Sequence, residues 1–158
     1  MSQLSALAAG RGIRLLIEGS DVAPLSADRE RLLQVMTNLI GNAIKFTAAD
    51  SVIRINWAAI EMMPDASDAH GSPGWRVTVI DAGPGIPVGE EEAIFDKFVQ
   101  SSGTSTGAGG TGLGLAICRE IISRHHGRIT ASNAPEGGAC FTFALPSDPQ
   151  TIEEGGNP

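Results

Sequence analysis

One stretch of the chain carries apolar side chains with the period of an α-helix and predicts a long helix over residues 28–47. Either Ser26 or Asp28 can serve as its N-cap. Apolar residues cover most of its surface. Because each helical residue is rotated by about 100° from the previous one, the polar residues fall on one narrow line. That polar stripe comprises Arg31, Gln34, Asn38, Asn42 and Lys45.

Two interpretations of the polar stripe are open at this point. It can be the solvated face of an ordinary amphipathic helix, or it can face a ligand. A buried amide without a partner costs about 1–3 kcal/mol, so a ligand would explain the stripe if the helix is largely covered. Carboxamide oxygens suit a hard cation such as Mg²⁺, and a lysine suits a phosphate. The helical pattern alone does not decide between the two.

The other predicted elements mix strands and helices. Alternating residues predict strands over residues 13–18, 51–61, 75–81, 127–133 and 139–145, and a helix over residues 113–125. A short acidic helix is predicted from Pro87, because Glu90, Glu91 and Glu92 would lie in its first turn, where negative charge is favoured. We therefore expect an α+β fold, a two-layer α/β sandwich in which a mixed sheet of about five strands packs on about three helices.

The size and charge of the chain narrow the functional classes. Its 158 residues suit a single domain, which we place at residues 11–146, after the end of an upstream helix (1–10) and before a disordered tail or linker (147–158). A formal net charge of −7 argues against nonspecific binding of nucleic acid or anionic membranes. No apolar run is long enough to span a membrane, and no signal peptide is visible. Cys118 and Cys140 lack CxxC spacing and are expected to be buried packing residues.

Two glycine-rich turns follow the polar stripe. Asp81-Ala-Gly83-Pro-Gly85 ends a predicted strand. Its backbone can approach a ligand closely, and its carboxylate can accept a hydrogen bond from an exocyclic amine such as that of adenine. The run from Gly109 to Gly114 opens a helix, where exposed N–H groups and the helix dipole favour phosphates. Considered alone, the Asp81 segment is also compatible with an ordinary turn that ends a strand. The Gly109–Gly114 segment is also compatible with a flexible linker before a helix.

In order along the chain, these segments resemble the sequence boxes of one family. Asn38-Leu-Ile-Gly-Asn42-Ala-Ile-Lys45-Phe-Thr resembles an N box, Asp81-Ala-Gly83-Pro-Gly85-Ile86 a G1 box, Ile94-Phe95-Asp-Lys-Phe98 an F box, and Gly110-Thr111-Gly112-Leu113-Gly114-Leu a G2 box. The chain is similar to the catalytic and ATP-binding domain of bacterial sensor histidine kinases, which has the Bergerat ATP-binding fold of the GHKL proteins. The match covers about residues 11–146.

The resemblance implies a role for each matching residue. Asn42 would bind Mg²⁺, with Asn38 as a second ligand or a positioning residue, and Lys45 would contact the phosphates of ATP. Asp81 would bind the adenine amino group, with Gly83, Gly85 and Ile86 close to the ring. Residues 99–110 would form a lid anchored by Phe95 and Phe98. Gly110, Thr111, Gly112, Leu113 and Gly114 would let that lid fold over the triphosphate.

The residue type at position 38 distinguishes phosphoryl transfer from ATP hydrolysis among the proteins that the chain resembles. Related ATPases such as gyrase carry a glutamate there, one turn before the metal-binding asparagine, and it activates water. Asparagine is a weak base, so the resemblance implies phosphoryl transfer to a protein, with little or no hydrolysis.

Three histidines occur, His70, His125 and His126. None lies in a segment like the family's phosphoacceptor helix, so the chain is expected to be a catalytic fragment.

The resemblance also implies partners. They are the phosphoacceptor and dimerisation domain of the same kinase and the receiver domain of a response regulator. The fragment is expected to be a cytoplasmic monomer that contacts neither nucleic acid nor membrane. Its parent is expected to be a homodimer, either with or without a membrane anchor. Gln100 stands where many members have a lid arginine, so Lys45, Lys97 or the partner domain would supply the charge for the γ-phosphate. This departure leaves an alternative open, a non-catalytic module that senses ATP, ADP or a guanine second messenger.

Overall fold

The computed structural model describes residues 2–19, 25–62, 72–99 and 111–148. In chain order the elements are α1 (Ser2–Ala9), β1 (Arg14–Gly19), α2 (Arg29–Phe46), β2 (Val52–Met62), β3 (Ser72–Ile80), a 3-10 turn (Ala93–Phe95), α3 (Gly114–Arg124), β4 (Arg128–Asn133) and β5 (Ala139–Pro146). No helix in these four ranges is both long and apolar enough to cross a membrane.

The five strands form one mixed sheet in the order β1-β2-β3-β5-β4. β1 pairs in parallel with β2, and α2 makes the crossover between them. The remaining neighbours are antiparallel, with Val79 of β3 opposite Ile55 of β2 and Phe141 of β5. Because side chains alternate across a strand, these residues share one face of the sheet.

That face and the helices enclose the hydrophobic core. The buried residues of α2 are Val35, Leu39, Ile40, Ala43 and Ile44, and those of α3 are Cys118, Ile121 and Ile122. The sheet contributes Ile53, Ile55, Val79, Ile129, Phe141, Phe143 and Leu145. The predicted two-layer sandwich of helices on a five-stranded mixed sheet is therefore confirmed.

Two local predictions need correction. No α-helix starts at Pro87, and the only helical turn in this region is the 3-10 turn at Ala93–Phe95. Two of the three acidic side chains make other contacts instead of lying in the first turn of a helix. Glu91 accepts the N–H of Gly89 at 2.8 Å, and Glu92 pairs with Arg119 at 2.7 Å. In addition, β3 begins at Ser72, three residues before the predicted start. Pro73 and Gly74, expected in a loop, pair there with the end of β2.

Several predictions fall outside the described residues. They concern most of the predicted loop (residues 63–71), His70 within it, Gln100 with most of the predicted lid (residues 100–110, including Gly110), and the predicted tail from residue 149 onwards.

Candidate nucleotide site

The polar stripe of α2 lies at the edge of the core. Asp28 is the N-cap, and its carboxylate accepts the N–H groups of Glu30 and Arg31 at 2.9 and 3.1 Å. Burial of the apolar face fixes the rotation of the helix. Asn38, Asn42 and Lys45 are consequently half-buried, with neither the full exposure of a solvated face nor the burial of a core position.

Asn42 and Lys45 have polar groups available for a ligand. The carboxamide of Asn42 makes no hydrogen bond in the part of the chain that the structure describes. No described carboxylate lies within ion-pair distance of Lys45, whose ammonium group lies 4.8 Å from the centre of the Phe46 ring. A free carboxamide and a free ammonium, one helical turn apart, can together bind a cation and an anion.

Asn38 faces α3 and is held there. Its Nδ2 donates to the carbonyl of Gly114 at 3.3 Å, which connects the middle of α2 to the first residue of α3. Burial raises the pKa of the neighbouring Cys118 thiol to about 11, although the Asn38 side chain lowers it. At neutral pH the thiol is therefore protonated, and Asn38 packs beside an uncharged group. The hydrogen bond uses Nδ2 and leaves Oδ1 without a partner among the described residues, so this contact is compatible with either role predicted for Asn38.

Asp81 is a buried carboxylate at the end of β3. It is 6% exposed. Its Oδ1 accepts two backbone N–H groups, from Gly83 at 2.8 Å and from Ala139 at 3.0 Å. Burial raises the pKa of Asp81 above its ordinary value, and these two hydrogen bonds offset part of the rise. All hydrogen bonds that described residues make to the carboxylate use Oδ1, so the group is held in one orientation.

The turn after Asp81 packs directly on the end of α2. The N–H of Ala82 donates to Oγ1 of Thr47 at 3.3 Å. A Cβ on Gly83 would lie 2.9 Å from the carbonyl oxygen of Phe46, closer than a side chain can approach. Glycine is therefore required for this contact, which brings the Asp81 turn and the Lys45 turn of α2 together.

The same turn is also held by Asn133 at the end of β4. Its Oδ1 accepts the N–H of Ile86 at 2.7 Å, and its Nδ2 donates to the carbonyl of Ile86 at 2.8 Å. Gly85 lies against the same carboxamide, and Ile86 is buried. The sequence analysis missed Asn133, because only strand pairing reveals that a residue distant in the chain reaches this turn.

The two phenylalanines of the F box occupy different environments. Phe95 is buried and packs edge-on against Phe141, with ring centroids 6.4 Å apart. The guanidinium of Arg119 from α3 lies 4.5 Å from the centre of the Phe95 ring and pairs with Glu92. Phe98, expected to be an anchor with Phe95, is 74% exposed. Arg119 is a second residue that the sequence analysis missed, since the spacing of α3 marks it only as partly solvent-facing.

The residues on either side of the predicted lid are joined at its base. Phe98 donates its N–H to the carbonyl of Gly112 at 3.0 Å. Gly112 has a φ of +66°, and a Cβ there would lie 2.9 Å from the backbone of Phe98, so only glycine fits. Thr111 is exposed, Leu113 and Gly114 are half-buried, and α3 begins immediately afterwards.

The predicted site residues within the described ranges thus belong to one connected surface. Asn38 bonds to Gly114 of the glycine-rich segment. The last turn of α2, with Lys45, contacts the Asp81 turn through Thr47 and Phe46. The N box on α2 therefore contacts the G1 and G2 boxes, and the F box joins them through the hydrogen bond of Phe98 to Gly112.

The amino-acid sequence around this site matches one family. The model of the histidine kinase-, DNA gyrase B- and HSP90-like ATPases matches residues 27–149. The chain belongs to this ATPase family. The family model covers the whole segment from the N-cap of α2 to the end of β5.

Similar proteins within the family include a sensor protein and a sensory kinase. The chain is 45% identical over 122 residues to the sensor protein KdpD of Escherichia coli (strain K12) and 39% identical over 128 residues to the adaptive-response sensory kinase SasA of Synechococcus sp. (strain CC9311). These matches cover 77% and 80% of this chain but only 12% and 30% of the two kinases.

The fold is similar to solved kinase domains as well. The catalytic domain of histidine kinase ThkA superposes with a TM-score of 0.71 at 31% identity, covering 92% of this chain and 87% of that one. The chain is therefore an ATPase-family domain of the kind found in histidine kinases, and the predicted Bergerat fold is confirmed.

The arrangement of polar groups fits a nucleotide. A fixed, buried carboxylate suits an amino group on a flat ring, and a free lysine suits phosphates. Mg²⁺ prefers oxygen ligands and commonly takes only one or two from the protein, the rest coming from phosphates and water. The carboxamide oxygen of Asn42, which no described residue contacts through a hydrogen bond, satisfies that requirement, so the residues present fit Mg²⁺ with ATP.

Proposed function

We propose that this domain binds Mg²⁺ and ATP and transfers the γ-phosphoryl group to a histidine of a separate phosphoacceptor and dimerisation domain. The observation that carries the proposal is that Asn42 and Lys45 make no hydrogen bond or ion pair with any described residue, on the helix whose end contacts the turn of the fixed Asp81 carboxylate. The sensor kinases KdpD and SasA, to which the chain is similar, support the same activity. A receiver domain of a response regulator is the proposed final acceptor.

Each residue of the site has a proposed task. Asp81 accepts a hydrogen bond from the adenine amino group, while Gly83, Gly85 and Ile86 bring the backbone close to the ring. Lys45 neutralises phosphate charge. Asn42 offers its carboxamide oxygen to Mg²⁺, which would offset charge on the phosphate oxygens. Phosphoryl transfer needs positioning and charge neutralisation more than it needs a protein nucleophile. The site therefore contains the types of side chain that this reaction requires.

The rest of the site supports the bound nucleotide. Phe95 holds the segment before residues 99–110, the proposed lid, against the sheet, and Phe98 closes the base of that segment with Gly112. Gly110, Thr111, Leu113 and Gly114 are proposed to adapt to the phosphates. The proposed domain limits are residues 11–146, and we propose a cytoplasmic monomer as the state of this fragment, with the whole kinase a homodimer.

Transfer to a protein is favoured over hydrolysis by the chemistry of α2. Glu30, in the first turn, is the only acidic residue of that helix. Asn38 takes the position of the water-activating glutamate of related ATPases and uses its amide to hold Gly114. No strong base is thus available on α2 to deprotonate water.

Replacing Asn38 with glutamate tests this assignment. We expect Asn38→Glu to keep basal ATPase activity at or above the wild-type rate, because a base is added while only one neutral hydrogen bond, worth about 0.5–1.5 kcal/mol, is lost. Asn38→Gln is the matched control, since it has the same length without a base. ATP turnover is measured by phosphate release. A Glu variant slower than both wild type and Gln would contradict the role given to position 38.

A transfer experiment tests the main proposal. The full chain is incubated with γ-³²P-labelled ATP, Mg²⁺ and the purified phosphoacceptor domain of the same kinase. We expect label on that domain, labile in acid and stable in alkali as a phosphohistidine is, and none when its histidine is replaced by glutamine. Nucleotide binding without any transfer would overturn the kinase proposal in favour of a nucleotide-sensing module. Rapid phosphate release without transfer would favour a hydrolase.

A further inference from the structure

An arginine from outside the sandwich caps the C-terminal end of α2. Arg11 follows α1, and its guanidinium donates to the carbonyls of Ile44, of Lys45 at 3.1 Å and of Thr47 at 3.0 Å. The last carbonyls of a helix have no partner within the helix, and a cation there interacts favourably with the helix dipole. The Arg11 side chain therefore provides hydrogen-bond donors to most of the carbonyls at the end of α2 that lack a partner within the helix.

The backbone of Arg11 is itself fixed. Its N–H donates to the carbonyl of Ala8 at 3.0 Å, and its carbonyl accepts the N–H of Asp50 at 3.1 Å. Ala8 and Ile13, on either side of it in sequence, are buried in the core. No described carboxylate lies within ion-pair distance of the Arg11 guanidinium. Within the described residues, the guanidinium donates only to carbonyls of the last turn of α2 and of its C-cap, Thr47.

The capped turn leads directly to the nucleotide site. It carries Lys45, and it ends at Thr47, which is 1% exposed. The hydroxyl of Thr47 accepts the N–H of Ala82, next to Asp81. A displacement of this turn would therefore move the proposed phosphate ligand and the proposed adenine ligand together.

We propose that Arg11 and Thr47 are positioning residues for ATP binding, acting through the last turn of α2 on Lys45 and Asp81. The inference rests on the proposed function of those two residues. It assigns a role to the segment that joins α1 to β1. Arg11 sets the position of the turn, and Thr47 transmits that position to the Asp81 loop.

A double-mutant cycle on the full chain tests this coupling. Arg11→Gln, Thr47→Val and the double variant are compared with wild type for Mg·ATP dissociation constants by calorimetry. The temperature is set well below each melting temperature measured by circular dichroism. We expect each single variant to raise the dissociation constant about 5–10-fold, and the double variant to be little worse than the weaker-binding single, because both act on one contact chain.

Matched variants separate positioning from simple destabilisation. Thr47→Ser keeps the hydroxyl and Arg14→Gln removes an exposed arginine nearby, so both should stay within about twofold of the wild-type dissociation constant. Arg11→Lys, with the charge kept and fewer donors, should fall between wild type and Arg11→Gln. Lower melting temperatures with unchanged ATP affinity, or fully multiplicative effects in the double variant, would overturn the inference alone. Absence of ATP binding by the wild-type chain would overturn both it and the proposed function.

Discussion

Replacing Asp81 with asparagine is expected to raise the dissociation constant for ATP about 10–100-fold, which corresponds to the loss of about 1.5–3 kcal/mol for a hydrogen bond to a charged group. Asparagine can still accept the N–H groups of Gly83 and Ala139 through its oxygen. Its amide nitrogen, however, would point a donor at the adenine amino group, which is itself a donor. The fold should remain while adenine recognition is lost.

Calorimetric titration with Mg·ATP measures this effect. Glu120→Gln is the matched control, since it makes the same acid-to-amide change on the exposed face of α3, where Glu120 pairs only with Arg124 among the described residues. The control should bind ATP like wild type. Unchanged affinity in Asp81→Asn would remove Asp81 from the proposed adenine site.

The same variant should gain stability relative to wild type as the pH rises from 4 to 7. Burial raises the pKa of Asp81, so the folded chain holds this proton more tightly than the unfolded chain does. The contribution of Asp81 to stability is therefore fully present below its unfolded pKa of about 3.9 and falls as the pH rises through the raised folded value. Thermal unfolding at pH 4 and pH 7 checks this. The melting temperature of Asp81→Asn minus that of wild type should be larger at pH 7 than at pH 4. A larger difference at pH 4 would contradict burial as the cause of the raised pKa.

Replacing Asn42 with aspartate is expected to reduce phosphoryl transfer about 10–100-fold, the usual cost of disturbing a group that tunes a metal site. Lys45 lies three residues further along α2, close enough for an ion pair with a carboxylate at position 42. Such a pair would occupy the lysine proposed for the phosphates, and the added negative charge would repel the triphosphate. Both effects act on the transferring group, so transfer should fall more than folding stability.

Gln34→Glu provides the control for added charge, because it introduces the same negative charge two turns earlier on α2, where Gln34 contacts Arg31. Single-turnover transfer from labelled ATP to the phosphoacceptor domain measures both variants. Wild-type transfer by Asn42→Asp, or an equal loss in Gln34→Glu, would contradict the metal-binding role of Asn42.

The sequence predicted most of the elements because their patterns are local. The period of α2 follows from its buried apolar face, and the alternation in β2 and β5 follows from a sheet covered on one side. The helix predicted from Pro87 did not form, because Gly89 has a φ of +88°, which interrupts a helix, and Glu91 bonds back to the N–H of Gly89. Glu92 pairs with Arg119 of α3, and three adjacent acids give no indication of so distant a partner.

The candidate site divides in the same way. Asn42, Lys45 and Asp81 could be named from the sequence, since their residue types at box spacing already suggest a nucleotide. Asn133 and Arg11 could not, because each acts by donating or accepting hydrogen bonds at backbone far away in the chain. Any polar residue near a strand or helix end can make such bonds, so their sequence positions carry no signal.

The amino-acid sequence by itself determined the class of fold, the ATPase family and the chemical types at the site, since periodicity and box spacing are properties of the chain. Only the tertiary structure decided how those types are held. It oriented Asp81 through the N–H groups of Gly83 and Ala139, left Asn42 without a partner among the described residues, and connected Arg11 to the last turn of α2. The physical reason is that hydrogen-bond partners are chosen by proximity after folding, and proximity across a sheet or between helices is not encoded at any single position.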